Sequence, residues 1–138
     1  LLGEARANTH YEINSIRSTG AITVYGSDWP VVSEANPWPA IEALVTRENP
    51  YEDYPGILNR NEAIDIYDAI EMCTIQGAQS MYLDKLTGSI EVGKSADMII
   101  LDRDIFEIDS KEIRNTKVLE TFFEGKSVYS QKLFCKKG

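Results

Sequence analysis

The residue best placed to do chemistry is Asp28. It follows Ala21-Ile22-Thr23-Val24-Tyr25, a short β-branched stretch in which Ile22 and Val24 share one face and Thr23 the other, the pattern of a strand. The glycine and proline of Gly26-Ser27-Asp28-Trp29-Pro30 end regular pairing, so Asp28 stands just past the carboxyl end of that strand. A lone carboxylate in such a place suits metal-assisted hydrolysis. It can ligate a divalent ion, take a proton from metal-bound water and return it to the leaving group. Barrel enzymes place such residues at that end of their strands. The same spacing also fits an Asx-turn or a helix-capping aspartate ahead of Trp29-Pro30.

Other groups offer less. The sequence has one histidine, His10, readable as a ligand or as a surface or capping residue ahead of a helix. Cys73 falls on the apolar face of a predicted helix and reads as core, and Cys135 lies in a basic tail with Lys132, Lys136 and Lys137. The aromatics Trp29, Trp38, Tyr51 and Tyr54 fit a pocket rim or ordinary core packing. The acidic pairs Glu52-Asp53 and Asp102/Asp104 lack EF-hand spacing and its glycine and read as solvated loop charges. Gly88, Gly93 and Gly125 form no phosphate-cradling motif.

These residues need elements to position them. Residues 4–20 carry a weak helical pattern through Ile13, Ile16 and Arg17, with Gly20 as a stop. After strand 21–25, Asn36-Pro37 caps and starts a short helix carrying Trp38, Ile41, Leu44 and Val45. Glu48 to Asn59 reads as an unusually long loop, a lid or binding loop. Asn61 is the expected N-cap of a periodic helix through Ile64, Tyr67, Ala69, Ile70 and Cys73, and Thr74 restarts a second helix that runs to Asp84. Past Gly88 the texture changes. Ser89–Val92 alternates, Met98–Leu101 is sized for a buried strand, and Ser110–Arg114 fits one helical turn. Val118–Phe123 and Ser127–Tyr129 flank Glu124-Gly125-Lys126 as a hairpin. The expected class is α+β, with a boundary between residues 1–88 and 89–138.

The bulk numbers narrow the function. The chain has 138 residues, 43% hydrophobic and 26% charged, ordinary for one globular domain. Its 14 Lys and Arg against 22 Asp and Glu give a formal charge of −8, which argues against broad nucleic-acid binding. No apolar run approaches the roughly 18 residues of a membrane span, and Leu1-Leu2 opens no signal-peptide core. Two cysteines without a framework or a paired CxxC motif fit a reducing, cytoplasmic home.

Four ordered blocks make the chain recognisable. They are Gly20-Ala21 leading to Gly26-Ser27-Asp28-Trp29-Pro30-Val31; Asn61-Glu62-Ala63-Ile64 through Thr74-Ile75-Gln76-Gly77-Ala78; Thr87-Gly88-Ser89-Ile90-Glu91-Val92-Gly93-Lys94-Ser95-Ala96-Asp97 with its following apolar strand to Asp104; and Val118-Leu119-Glu120-Thr121 to Gly125-Lys126-Ser127-Val128-Tyr129. Together they resemble, from about Leu2 to Tyr129, the carboxyl-terminal part of the amidohydrolase superfamily. The branch is amidohydrolase family 3, which includes N-substituted formamide deformylase-like and exoenzyme regulatory protein-like members.

The resemblance implies the end of a metal-dependent hydrolase (β/α)8 barrel, followed by strands of a small β-sandwich built from both chain ends, in a parent of α/β class. It implies that Asp28 matches the aspartate after the last barrel strand, a metal ligand and proton shuttle. The implied cofactor is a divalent metal, zinc by the resemblance, and the implied substrate is an amide-like small molecule. A complete barrel takes about 250 residues. The family's His-x-His pair, its middle-strand lysine or acid and its further histidines have no counterpart here, and His10 matches none of those motifs. The expectation is a fragment of a longer enzyme or a natural truncation, inactive alone. One carboxylate does not hold a catalytic zinc that needs about three protein ligands, so no stable metal binding by this chain alone is expected. A truncated interaction or regulatory module is the alternative, and a generic acidic α+β domain is a third reading. Unpaired strand edges invite a homodimer; neither nucleic acid nor membrane is an expected partner.

Overall fold

The computed structural model describes residues 3–51 and 54–131, which leaves Cys135, the basic tail and Glu52-Asp53 outside the described residues. Five short helices precede a three-stranded sheet. The helices are α1 (Glu4–Ala7), α2 (Ile13–Ser18), α3 (Trp38–Thr46), α4 (Ile66–Cys73) and α5 (Ile75–Ser80). The strands β1 (Met98–Leu101), β2 (Val118–Phe123) and β3 (Lys126–Ser130) form an antiparallel sheet in that order. Helices and a small antiparallel sheet make the described chain α+β.

The β2–β3 hairpin forms where expected. Glu124 and Gly125 both have positive φ, 49° and 75°, the requirement of a tight two-residue turn whose twist matches the strands. Asp97 pins this turn from the chain entering β1. Its carboxylate accepts from Glu124 N–H at 2.8 Å, Ser95 Oγ at 2.9 Å and Thr87 Oγ1 at 3.0 Å. These bonds, the Glu124 amide foremost, hold its pKa below the usual value. At the other end of β1, Asp102 accepts from Lys117 N–H at 2.8 Å and pairs with Arg103.

The core gathers Trp38, Ile41, Ile64, Ala69, Met72, Ile105 and Ile113, residues from both sides of position 88. Its centre is the packing of α3 on a 3-10 turn at Ser110–Asn115, where Ile41 and Ile113 are each 1% exposed. Asn36 Oδ1 accepts from Trp38 N–H at 3.2 Å and so opens α3 as expected. Glu42, buried one residue on, accepts from Arg114 N–H at 2.9 Å and lies 3.1 Å from Arg114 Nε. Burial raises the Glu42 pKa, opposed by its bonds to Arg114.

Four expectations need correction. Residues 21–25 belong to no ladder among the described residues. Their alternation stands, but Ile22 and Val24 are 57% and 44% exposed, because no described strand lies alongside to pair with or cover them. Ser89–Val92 is likewise not a strand. It turns through Gly93 (φ 96°), Lys94 pairs with Glu91 at 3.0 Å, and Ile90 and Val92 face outward. The N-cap of α4 is Asp65, whose carboxylate accepts from Asp68 N–H at 2.8 Å; Asn61 sits inside a 3-10 turn, Arg60–Glu62. Finally, α5 stops at Ser80 rather than Asp84, and Gly88 (φ 94°) brings the following loop against it.

A Cβ at Gly88 would lie 2.7 Å from Ala78 Cβ and 3.1 Å from Ile75 Cα, so Gly88→Ala is expected to lower stability by about 2–4 kcal/mol in urea unfolding. Asp102 is held at a pKa of about 2 by Arg103 and by the Lys117 amide. A depressed carboxylate contributes stability that is complete above its unfolded pKa and is lost as pH falls through the folded one. Stability measured from about pH 4 down to pH 2 should therefore decline, and Asp102→Asn should flatten that decline.

Candidate functional site

The segment leading to Asp28 is held by helices instead of strands. Arg17, at the end of α2 with a side chain 11% exposed, reaches four partners, one of them Glu71 of α4 at 3.8 Å. It donates to Thr23 Oγ1 at 2.9 Å and to Gln76 Oε1 at 2.8 Å, and it pairs with Asp68 of α4. Gln76 Oε1 also accepts from Thr23 N–H at 3.3 Å, while its Nε2 donates to Glu71 at 3.4 Å. Two residues on, Tyr25 N–H donates to Met72 O at 3.3 Å. That carbonyl is open because the helix breaks at Thr74 (φ −126°, ψ −98°), and the last carbonyls of a helix lack intrahelical donors. The break between α4 and α5 thus docks the extended segment.

Asp28 itself has φ 56°, a left-handed conformation that aspartate tolerates better than most residues. Its main-chain carbonyl accepts from Val31 N–H at 2.8 Å, and Ser27 Oγ accepts from Trp29 N–H at 3.3 Å. Neither bond uses the Asp28 carboxylate, which is exposed; the side-chain Asx-turn does not form. A cis peptide joins Trp29 to Pro30, and Trp29 is exposed whereas Trp38 is core.

The entry to α2 and the loop after α3 are tied together nearby. The α2 helix lacks a local side-chain cap; instead Glu62 accepts from Ser15 N–H at 2.8 Å and from Ser15 Oγ. These bonds lower the Glu62 pKa. Arg47, buried and in a left-handed conformation (φ 60°), donates through Nε to Leu58 O at 3.0 Å and through Nη2 to His10 O at 3.3 Å. A bridge between Glu48 and Ile57 closes the loop expected at 48–59. Beside it lies a cavity of about 480 Å³ lined by Tyr11, Arg47, Glu48, Tyr54 and Ile57.

Among the described residues, no group of three or more His, Cys, Asp or Glu is arranged to hold a metal ion. His10 contributes its carbonyl to Arg47 and its ring lies beside Tyr11, away from any ligand set. A zinc site takes about three protein ligands, so the described residues do not fit one by themselves. Cys73 is half-buried, and burial pushes its thiol up to about 11, leaving it protonated and inert near neutrality. What the site offers is one exposed carboxylate on a docked segment, competent to accept or return a proton. Sequence reading placed Asp28 past the carboxyl end of a β-strand at 21–25 that does not form; the structure has there an extended segment without a ladder among the described residues. It missed the joint role of Arg17 and Gln76, which lie 59 positions apart and carry no local signal of pairing.

Comparison with known proteins gives the context. The family model described as the amidohydrolase family matches residues 1–129. Protein LONG AFTER FAR-RED 3 of Arabidopsis thaliana is 36% identical over 129 residues, covering 93% of this chain and 21% of that protein. Amidohydrolase YtcJ of Bacillus subtilis (strain 168) is 29% identical over 130 residues, 94% of this chain and 24% of that protein. N-substituted formamide deformylase of Arthrobacter pascens is 37% identical over 68 residues, 49% of this chain and 12% of that protein. The chain thus spans only 21% and 24% of the length of the first two relatives.

Proposed function

The chain belongs to the amidohydrolase family, and we propose from this that it is the carboxyl-terminal segment of a metal-dependent hydrolase acting on carbon–nitrogen bonds other than peptide bonds. The observation that carries the reading is the exposed carboxylate of Asp28, at the end of a segment docked on α4 and α5 by Thr23 and Tyr25. In this reading Asp28 takes a proton from the attacking water as its oxygen bonds to the carbonyl carbon. It then gives that proton to the departing nitrogen as the C–N bond breaks, leaving a carboxylic acid and an amine. Among the described residues no donor set completes a metal site around Asp28, and the two proton transfers are the work of its carboxylate. The share of the relatives that this chain spans supports the view that 138 residues alone do not hydrolyse substrate.

N-substituted formamides are a suitable probe, because one relative is named for acting on them. In the full protein carrying this segment, Asp28→Asn is expected to lower kcat for amine release by about 10²–10⁴-fold, with the thermal unfolding temperature unchanged. Full activity in the Asn variant would contradict the assignment, as would turnover by the 138-residue chain alone above the uncatalysed rate.

A further inference from the structure

An extended segment that carries a reacting group must be fixed to a fraction of an ångström for that group to work. Strands are ordinarily fixed by their ladder, and residues 21–28 have none among the described residues. Their backbone is tied at two points, Thr23 N–H to Gln76 Oε1 and Tyr25 N–H to Met72 O. The first tie is the more specific, since Gln76 Oε1 receives Arg17 at 2.8 Å as well, and the Nε2 bond to Glu71 fixes which way the amide points. Arg17 meanwhile grips the hydroxyl of the same Thr23 at 2.9 Å. The guanidinium leaves its Nε buried with no partner. A buried donor without an acceptor lowers stability, so the cluster is not simply the most favourable joint that α2 and α4 can make. What it secures is the placement of Thr23, five residues before Asp28.

We propose that Gln76 is a positioning residue which, with Arg17, fixes the Asp28-bearing segment on α4 and α5. Its value to catalysis rests on the reading of Asp28 given above, but the clamp itself acts in the chain without turnover. Gln76→Leu keeps the size of the side chain and removes the acceptor. The paired exchange Glu71→Gln with Gln76→Glu restores an acceptor facing Thr23 and Arg17, and it keeps a hydrogen bond between positions 71 and 76.

Amide hydrogen exchange read by NMR on the 138-residue chain tests this directly. Gln76→Leu is expected to speed exchange at Thr23 and Tyr25 by at least about fivefold and to broaden the amides of Gly26 to Asp28, while β1, β2 and β3 keep wild-type protection. The paired exchange is expected to restore protection at Thr23 and Tyr25. Unchanged exchange at these two amides in Gln76→Leu overturns the proposal. So does equal acceleration in the sheet, which marks a general packing role, or failure of the paired exchange to restore a folded chain's protection. Loss of activity on Asp28→Asn is a separate readout: if it is absent while the exchange results hold, the catalytic reading falls and the clamp stands.

Discussion

The structure turns on one half-buried guanidinium, that of Arg17. Arg17 joins α2 to Thr23 of the extended segment, to Asp68 of α4 and to Gln76 of α5, four pieces of chain with no continuous ladder between them. Hydrogen bonds to a charged group contribute about 1.5–3 kcal/mol each, against roughly half that for neutral ones. Removing one partner from such a cluster strands the others, and the loss exceeds the net worth of the pair. The helix break at Thr74 serves the same end by presenting the Met72 carbonyl to Tyr25. Together these contacts convert a stretch with little buried surface of its own into a defined support for Asp28.

A second joint couples the helices to the sheet. Ile41 and Ile113 meet in the core, and beside them buried Glu42 takes both the backbone N–H and the side chain of Arg114. Asp97 and Asp102 then fix the two ends of β1 against the neighbouring hairpin and β2. Much apolar surface still lies open. The accessible surface is 9994 Å², against about 7,200 Å² for a compact monomer of 15.5 kDa. A groove of about 1040 Å³ between α5 and the sheet, lined by Met81, Ile90, Ile99, Phe123 and Val128, is part of that surface.

What could be read from the sequence follows from where burial comes from. The α3 helix, the turn at Ser110–Asn115 and the β2–β3 hairpin are legible because their caps, turn residues and partners lie close in sequence. Strands at 21–25 and 89–92 are misread for the opposite reason: alternation describes a face made to be covered, and no described strand covers these. The N-cap of α4 was misplaced by four residues. Asn61 and Asp65 are both good acceptors, but only Asp65 has the extended backbone (φ −77°, ψ 168°) that turns its carboxylate onto Asp68 N–H. The four ordered blocks made the family recognisable, whereas the 17–23–76 cluster depends on tertiary contact alone.

The central claim is that this chain carries one carboxylate of a hydrolytic site and lacks a metal-holding donor set among its described residues. The most direct test is zinc content by mass spectrometry on the purified 138-residue chain after loading and desalting. The account predicts retention far below one zinc per chain, because a lone exposed carboxylate binds zinc too weakly to survive desalting. Stoichiometric zinc would contradict it and would mean that Asp28 has ligand partners in this chain.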